Sequence, residues 1–323
     1  MIAEFAVIAT DIAEVIGSAL GLYLLCGIPL IFGVVITIAD VLFLLAFGQR
    51  SMRSIELLVT FLVGALMACF GIIIYLSRPD WYAVFNGFIP TVNILSDPDM
   101  LYLAIGIIGA TVMPHNLYLH SYLVKRSASK NDEQKSDSIF YSAIDLCVAL
   151  SFAFLVNAAI LIVAASVFYK KQIYVVEIQE AYNLFTPLLQ TPVAGFVFAL
   201  ALLIAGQNST LTGTLAGQII MDGFINVKLA PWKRRFIGRC ISIVPALGCI
   251  LFFGEGFLSQ LLIISQIILS FQLPFAIFPL IHFTGDPVIM GKFANSRFIK
   301  ISAYTIAFII VSVNLLLIAQ MIA

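Results

Sequence analysis

Asp11 and Glu14, in the run ATDIAEVIG, lie three residues apart and so share one face of a helix that is otherwise apolar. Carboxylates among oily side chains are costly, and in a membrane helix they mark an ion or proton route unless they serve only to bond neighbouring helices. A pair of this kind can hold a proton while a nearby site is empty and give it up when a cation arrives. The stretch IGIIGATVMPHNLYLHS, residues 105–121, holds the second candidate. Pro114 has no N–H, so the carbonyl of Ala110 loses its helical donor. An orphan carbonyl within a bilayer costs several kcal/mol unless it faces a cavity or an ion. Met113 is placed to present a thioether beside that oxygen, which pairs a hard donor with a soft one for a single cation. His115 follows, and its ring changes charge near neutral pH. A kinked core helix with Met113 as filler and His115 bonded to a neighbour would leave the same pattern, and on this stretch alone both readings stand.

Two further residues extend the set. Gln266, in SQIILSFQLPFAIFP, offers an amide oxygen to a divalent cation or, equally, an amide to a neighbouring helix. Pro274 in the same run frees the carbonyl of Ser270, which predicts a bend able to hinge. Arg239 lies a turn inside its helix, where a guanidinium either pairs with Asp11 or Glu14 or reaches back to the interface. Asp40 and Asp145 stand alone and are expected to bond neighbouring helices. The run AGQNSTLTGTLAGQIIMDGF, residues 205–224, is dense in small and hydroxyl residues, as a close helix contact requires.

The elements that must position these residues follow from composition. Hydrophobic residues make up 62% of the 323 and charged residues 11%, against about 25% charged in soluble proteins. The chain is therefore expected to be all-α and polytopic, one transmembrane domain over residues 1–323. Apolar runs of about 20 residues, the length that spans a bilayer, fall at 2–25, 28–47, 53–77, 100–124, 138–169, 193–222, 233–253, 256–283 and 298–322, about nine spans. Thirteen Lys and Arg residues follow the even-numbered runs, Arg50, Lys130, Lys228 and Lys300 among them, and only Arg78, Lys170 and Lys171 fall on the other side. The positive-inside rule then places the chain start in the cytoplasm. Residues 127–138 are polar and charged, as in a mobile loop. Glu177 to Gln190 is amphipathic, as in a helix lying along the membrane surface. Five dispersed cysteines give no zinc or disulfide spacing, no signal-peptide pattern opens the chain, and no HExxH pair supports an intramembrane protease. Nothing in the composition calls for a nucleic acid or a bound cofactor.

In their order along the chain, ATDIAEVIG, GATVMPHNLYLHS, AGQNSTLTGTLAGQ and SQIILSFQLPFA resemble the Nramp divalent metal transporters over essentially the whole length. The resemblance implies a LeuT-like inverted-repeat fold and proton-coupled import of Mn2+ or Fe2+ by a multi-pass protein of the cell membrane, working as a monomer. It also implies metal ligands at Ala110, Met113 and Gln266, and a proton pathway through Asp11, Glu14 and His115, with Arg239 at its cytoplasmic end. Family members open with a broken helix bearing an Asp-Pro-Gly-Asn motif that binds the metal. Here GDPVIMG at 285–291 and SDPDM at 96–100 fall in loops. The resemblance thus reads the chain as a member lacking its first two helices. A truncated, non-transporting remnant, or a subunit that needs those helices, is the alternative.

Overall fold

The computed structural model describes residues 2–48, 52–89, 97–127, 132–224 and 231–322. They form helices α1 (Ile2–Cys26), α2 (Leu30–Gly48), α3 (Met52–Ser77), α4 (Trp81–Gly87), α5 (Pro98–Thr111), α6 (Pro114–Ser127), α7 (Asp132–Val167), α8 (Ile178–Leu189), α9 (Pro192–Phe224), α10 (Pro231–Phe253), α11 (Leu258–Thr284), α12 (Pro287–Met290) and α13 (Arg297–Ile322). Local chemistry sets several of these ends. α1 stops where Gly27 takes a φ of 68°, which glycine adopts without strain, two residues before Pro29. α5 starts where the Asp97 carboxylate accepts from the N–H groups of Asp99 and Met100, with Pro98 in the first turn.

Among the described residues, eight helical spans are long and apolar enough to cross a membrane. The second of the nine expected runs is the helix Leu30–Gly48, whose described side chains, Leu30–Ala39, form an apolar stretch. The bundle is built around α1: 56% of its span is buried, against 17% for the spans of α3, α7 and α13. α1 packs on α2, α9, α10 and α11 and touches α6. Its closest neighbour is α9, antiparallel to it, and the small residues of 205–224 explain the approach. A Cβ on Gly206 would run into Ser18, and one on Gly213 into the Glu14 carboxylate. The main apolar core accordingly joins Val15, Ile16, Ala19 and Leu20 of α1 to Leu30 and Val34 of α2 and to Ile243 and Ala246 of α10.

The amphipathic stretch forms α8, between Glu177 and Gln190. Its Phe185 is buried against Phe168 and Phe198, with ring centroids 5.2 and 4.8 Å away. Ser259, at the start of α11, donates to the Glu177 carboxylate at 2.6 Å and ties this helix to the bundle.

Two expectations need correction. Residues 127–138 do not form a loop throughout, because α7 begins at Asp132; acids at positions 132 and 133 suit the first turn of a helix. Asp145 is exposed on α7, with no hydrogen-bond or ion-pair partner among the described residues, because α7 meets the bundle through other faces. The side chain of Asp40 and the whole of Arg50, Lys130 and Lys228 lie outside the described residues.

Candidate functional site: a broken helix beside a buried charge cluster

Pro114 divides one membrane span into α5 and α6. The Val112 N–H closes the last turn of α5 onto the Ile108 carbonyl at 2.9 Å, Met113 is non-helical, and Pro114 opens α6. Among the described residues no backbone N–H donates to the Ala110 carbonyl, as the missing Pro114 proton requires. Met113 is half-buried at the break. Its sulfur takes a weak hydrogen bond from the Asn116 amide at 3.7 Å.

α11 runs across this break. Gly109, next to Ala110, lies so close to the Gln266 carbonyl that a Cβ there would overlap it. Only a residue without a side chain permits the contact, and it brings the last turn of α5 to the middle of α11. Gln266 Nε2 donates to Ser265 Oγ at 3.0 Å, and Gln266 Oε1 is buried with no protein partner. A buried amide oxygen without a donor is the kind of group that calls for a water or an ion. The Ser270 carbonyl, freed by Pro274, is not left open: Asn314 Nδ2 of α13 donates to it at 3.2 Å. α11 is helical through Pro274 and Pro279.

The titratable residues gather on α1, α6 and α10. His115 is 2% exposed and its Nδ1 lies 3.2 Å from Thr10 Oγ1. The Thr10 hydroxyl already gives its single proton to the Ala6 carbonyl at 3.0 Å. Both contacts of Thr10 are hydrogen bonds at once only when the neutral ring carries its proton on Nδ1, which puts a lone pair on Nε2. Asp11 Oδ2 lies 3.3 Å from the hydroxyl of Ser242, on α10. One helical turn along, Arg239 is 3% exposed and contacts Glu14 Oε2 through NH1 at 3.4 Å. Its NH2 donates to Thr210 Oγ1 of α9 at 3.2 Å. The guanidinium turns inward onto a carboxylate rather than back to the interface. Buried charges need such partners, since each alone would carry a desolvation cost of several kcal/mol. Two atoms of the cluster, Glu14 Oε1 and Arg239 Nε, are buried without a protein partner.

Among the described residues no group of three or more His, Cys, Asp or Glu side chains could hold a metal ion. The neutral donors carried by the break and by the residue packed on it are the Ala110 carbonyl, the Met113 thioether and the Gln266 amide. Sequence reasoning did not single out Thr10, Thr210, Ser242, Ser265 or Asn314. Hydroxyls and amides are ordinary in membrane helices, and only interhelical geometry separates these from the rest. Asn314 alone gave a local signal, as an amide within the apolar run VSVNLLLIA.

The family model for natural resistance-associated macrophage protein-like proteins, Nramp, matches residues 1–320. A divalent metal cation transporter MntH of Agrobacterium fabrum is 49% identical over 316 residues, covering 97% of this chain and 68% of the relative. One of Listeria innocua is 49% identical over 319 residues, covering 98% of this chain and 71% of the relative. The crystal structure of the Eremococcus coleocola manganese transporter, in complex with an aromatic bis-isothiourea compound, superposes with a TM-score of 0.90 at 36% identity. It covers 100% of this chain and 71% of that one. With its LeuT-like arrangement of helices and a match along nearly its whole length, the chain belongs to the Nramp family.

Proposed function

We propose that the protein is a secondary transporter, not an enzyme, and carries divalent transition-metal ions, Mn2+ and Fe2+ among them, into the cell together with protons. The observation that carries this reading is the Ala110 carbonyl, left without a backbone donor next to Gly109, which seats the backbone of Gln266 against the break; the side-chain oxygen of Gln266 is buried and unpartnered. Ala110, Met113 and Gln266 are the metal donors in this reading. The thioether favours manganese and iron over Mg2+ and Ca2+, which gain little from sulfur. The named substrates of the relatives, divalent metal cations and manganese, agree with that donor set.

Proton movement is assigned to the neighbouring cluster. His115, through its free Nε2, stands nearest the break; Asp11 and Glu14 continue along α1, and Arg239 holds Glu14 by charge. Two membrane-embedded acids beside one base provide groups that can gain or lose a proton without leaving the bundle. In this reading the protein works in the cell membrane, and the distribution of Lys and Arg supports a chain start in the cytoplasm. All donors come from one chain, so a monomer suffices.

The test is uptake of Mn2+ into vesicles holding the reconstituted chain, with a second dye reporting internal pH. External acid should speed Mn2+ accumulation and acidify the lumen. Glu14→Gln and His115→Ala should weaken acid-driven uptake more than Mn2+ binding. Mn2+ entering without acidification would remove the proton coupling, and no uptake above empty vesicles would favour the non-transporting alternative.

A further inference from the structure

Ser265 and Gln266 are consecutive on α11, and their side chains are bonded to each other. Ser265 is 2% exposed, and its hydroxyl donates its one proton to the Leu262 carbonyl at 2.7 Å. What it offers to Gln266 is therefore a lone pair, and Nε2 fills it at 3.0 Å. Exchanging the amide nitrogen and oxygen would bring Oε1 against an oxygen with no proton left to give. To donate to Oε1 the hydroxyl would have to leave Leu262, and the pair would then hold one hydrogen bond instead of two. The orientation with Nε2 on Ser265 is thus the favoured one, and it leaves Oε1 buried and unpartnered on a residue whose backbone packs against Gly109 at the end of α5.

We propose that Ser265 is a positioning residue for cation binding: its hydroxyl fixes the side-chain amide of Gln266 so that the oxygen, and not the NH2 group, is presented to the ion. The inference rests on the proposed role of Gln266 as a metal donor. The difference matters chemically, because an amide oxygen donates electron density to a divalent cation while an NH2 group turns positive hydrogens toward it. Ser265 itself does not touch the ion. It acts through the rotation of its neighbour about the last side-chain bond.

Mn2+ titration calorimetry on the full chain in lipid nanodiscs tests this with the single variants Ser265→Ala, Ser265→Thr, Gln266→Ala and Gln266→Glu, and with Ser265→Ala combined with each Gln266 change. Ser265→Ala should weaken Mn2+ binding by up to roughly tenfold, the scale of one lost hydrogen bond. Ser265→Thr, which keeps the hydroxyl, should restore it. In the Gln266→Glu background, where both oxygens are equivalent and orientation has no meaning, adding Ser265→Ala should change affinity by less than about twofold. In the Gln266→Ala background it should likewise add nothing. Wild-type affinity in Ser265→Ala alongside a loss in Gln266→Ala would overturn the positioning role and leave Gln266 as a donor. A loss that persists in the Gln266→Glu background would mark Ser265 as a packing residue and also overturn it. Wild-type affinity in Gln266→Ala would overturn the donor assignment and this inference with it.

Discussion

Asn314 and Ser270, on α13 and α11, exchange two hydrogen bonds: Ser270 Oγ donates to Asn314 Oδ1 at 3.1 Å, and Asn314 Nδ2 donates to the Ser270 carbonyl at 3.2 Å. That carbonyl is the one Pro274 deprives of its helical donor. The side chain of a distant helix thus supplies what the proline took away, and the carbonyl freed within α11 is capped where the one freed by Pro114 has no backbone donor. Both residues are buried, Ser270 at 0% and Asn314 at 4% exposure, so water offers no substitute.

Asn314→Ala should therefore cost about 1–3 kcal/mol of stability, the penalty for a buried acceptor left unpaired. Pro274→Ala in the same chain should recover most of it, because alanine at that position brings back the N–H that the Ser270 carbonyl lacks. Thermal unfolding of the two single variants and the double variant measures this. Additive losses would show that Asn314 acts elsewhere.

Arg239→Ala should destabilise the protein by about 3–5 kcal/mol, since it strands the Glu14 carboxylate among helices. Joining it to Glu14→Gln should return a large part of that loss by removing the stranded charge. The comparison is made by thermal melting in detergent, and a double variant as unstable as Arg239→Ala alone would contradict the pairing.

Gly109→Ala is expected to separate α5 from α11, because its methyl group would occupy the space of the Gln266 carbonyl. Overpacking of this kind costs about 1–3 kcal/mol. Mn2+ affinity should fall with it, whereas Gly64→Ala inside α3, where a Cβ meets nothing within 4 Å, should leave affinity unchanged and raise stability slightly. Melting curves and calorimetry on the two variants decide the point.

Met113→Ala should weaken Mn2+ binding while sparing Ca2+, narrowing the discrimination between them, because only the softer ion gains from the thioether. Competition of Ca2+ against Mn2+ in binding or uptake reads this directly. Unchanged selectivity would take Met113 out of the donor set.

Much of the architecture was legible from composition and period. Apolar runs of bilayer length become helices because a chain in hydrocarbon must satisfy its own backbone, and Pro114 must open that ladder wherever it is placed. The small residues at 205–224 likewise announced a close helix contact, which proved to be α1 against α9. The loop expected at 127–138 was misread at its second half because charge alone does not separate a solvated loop from a solvated first turn.

Hydrogen-bond partners were not legible, because a partner is a statement about distance. Arg239 and Glu14 are 225 residues apart, and the sequence left pairing and retreat to the interface equally open. The same local rule applied to Pro114 and Pro274 predicts two free carbonyls, yet only the fold places Asn314 at one and leaves Ala110 without a backbone donor at the other. What the amino acids determined by themselves was where the helical ladder loses a proton donor and which side chains carry charge into the bundle. What tertiary packing alone decided was which of those deficits is filled from a neighbouring helix, since filling one requires a donor within about 3 Å, and residues far apart in the chain reach that distance only when helices pack.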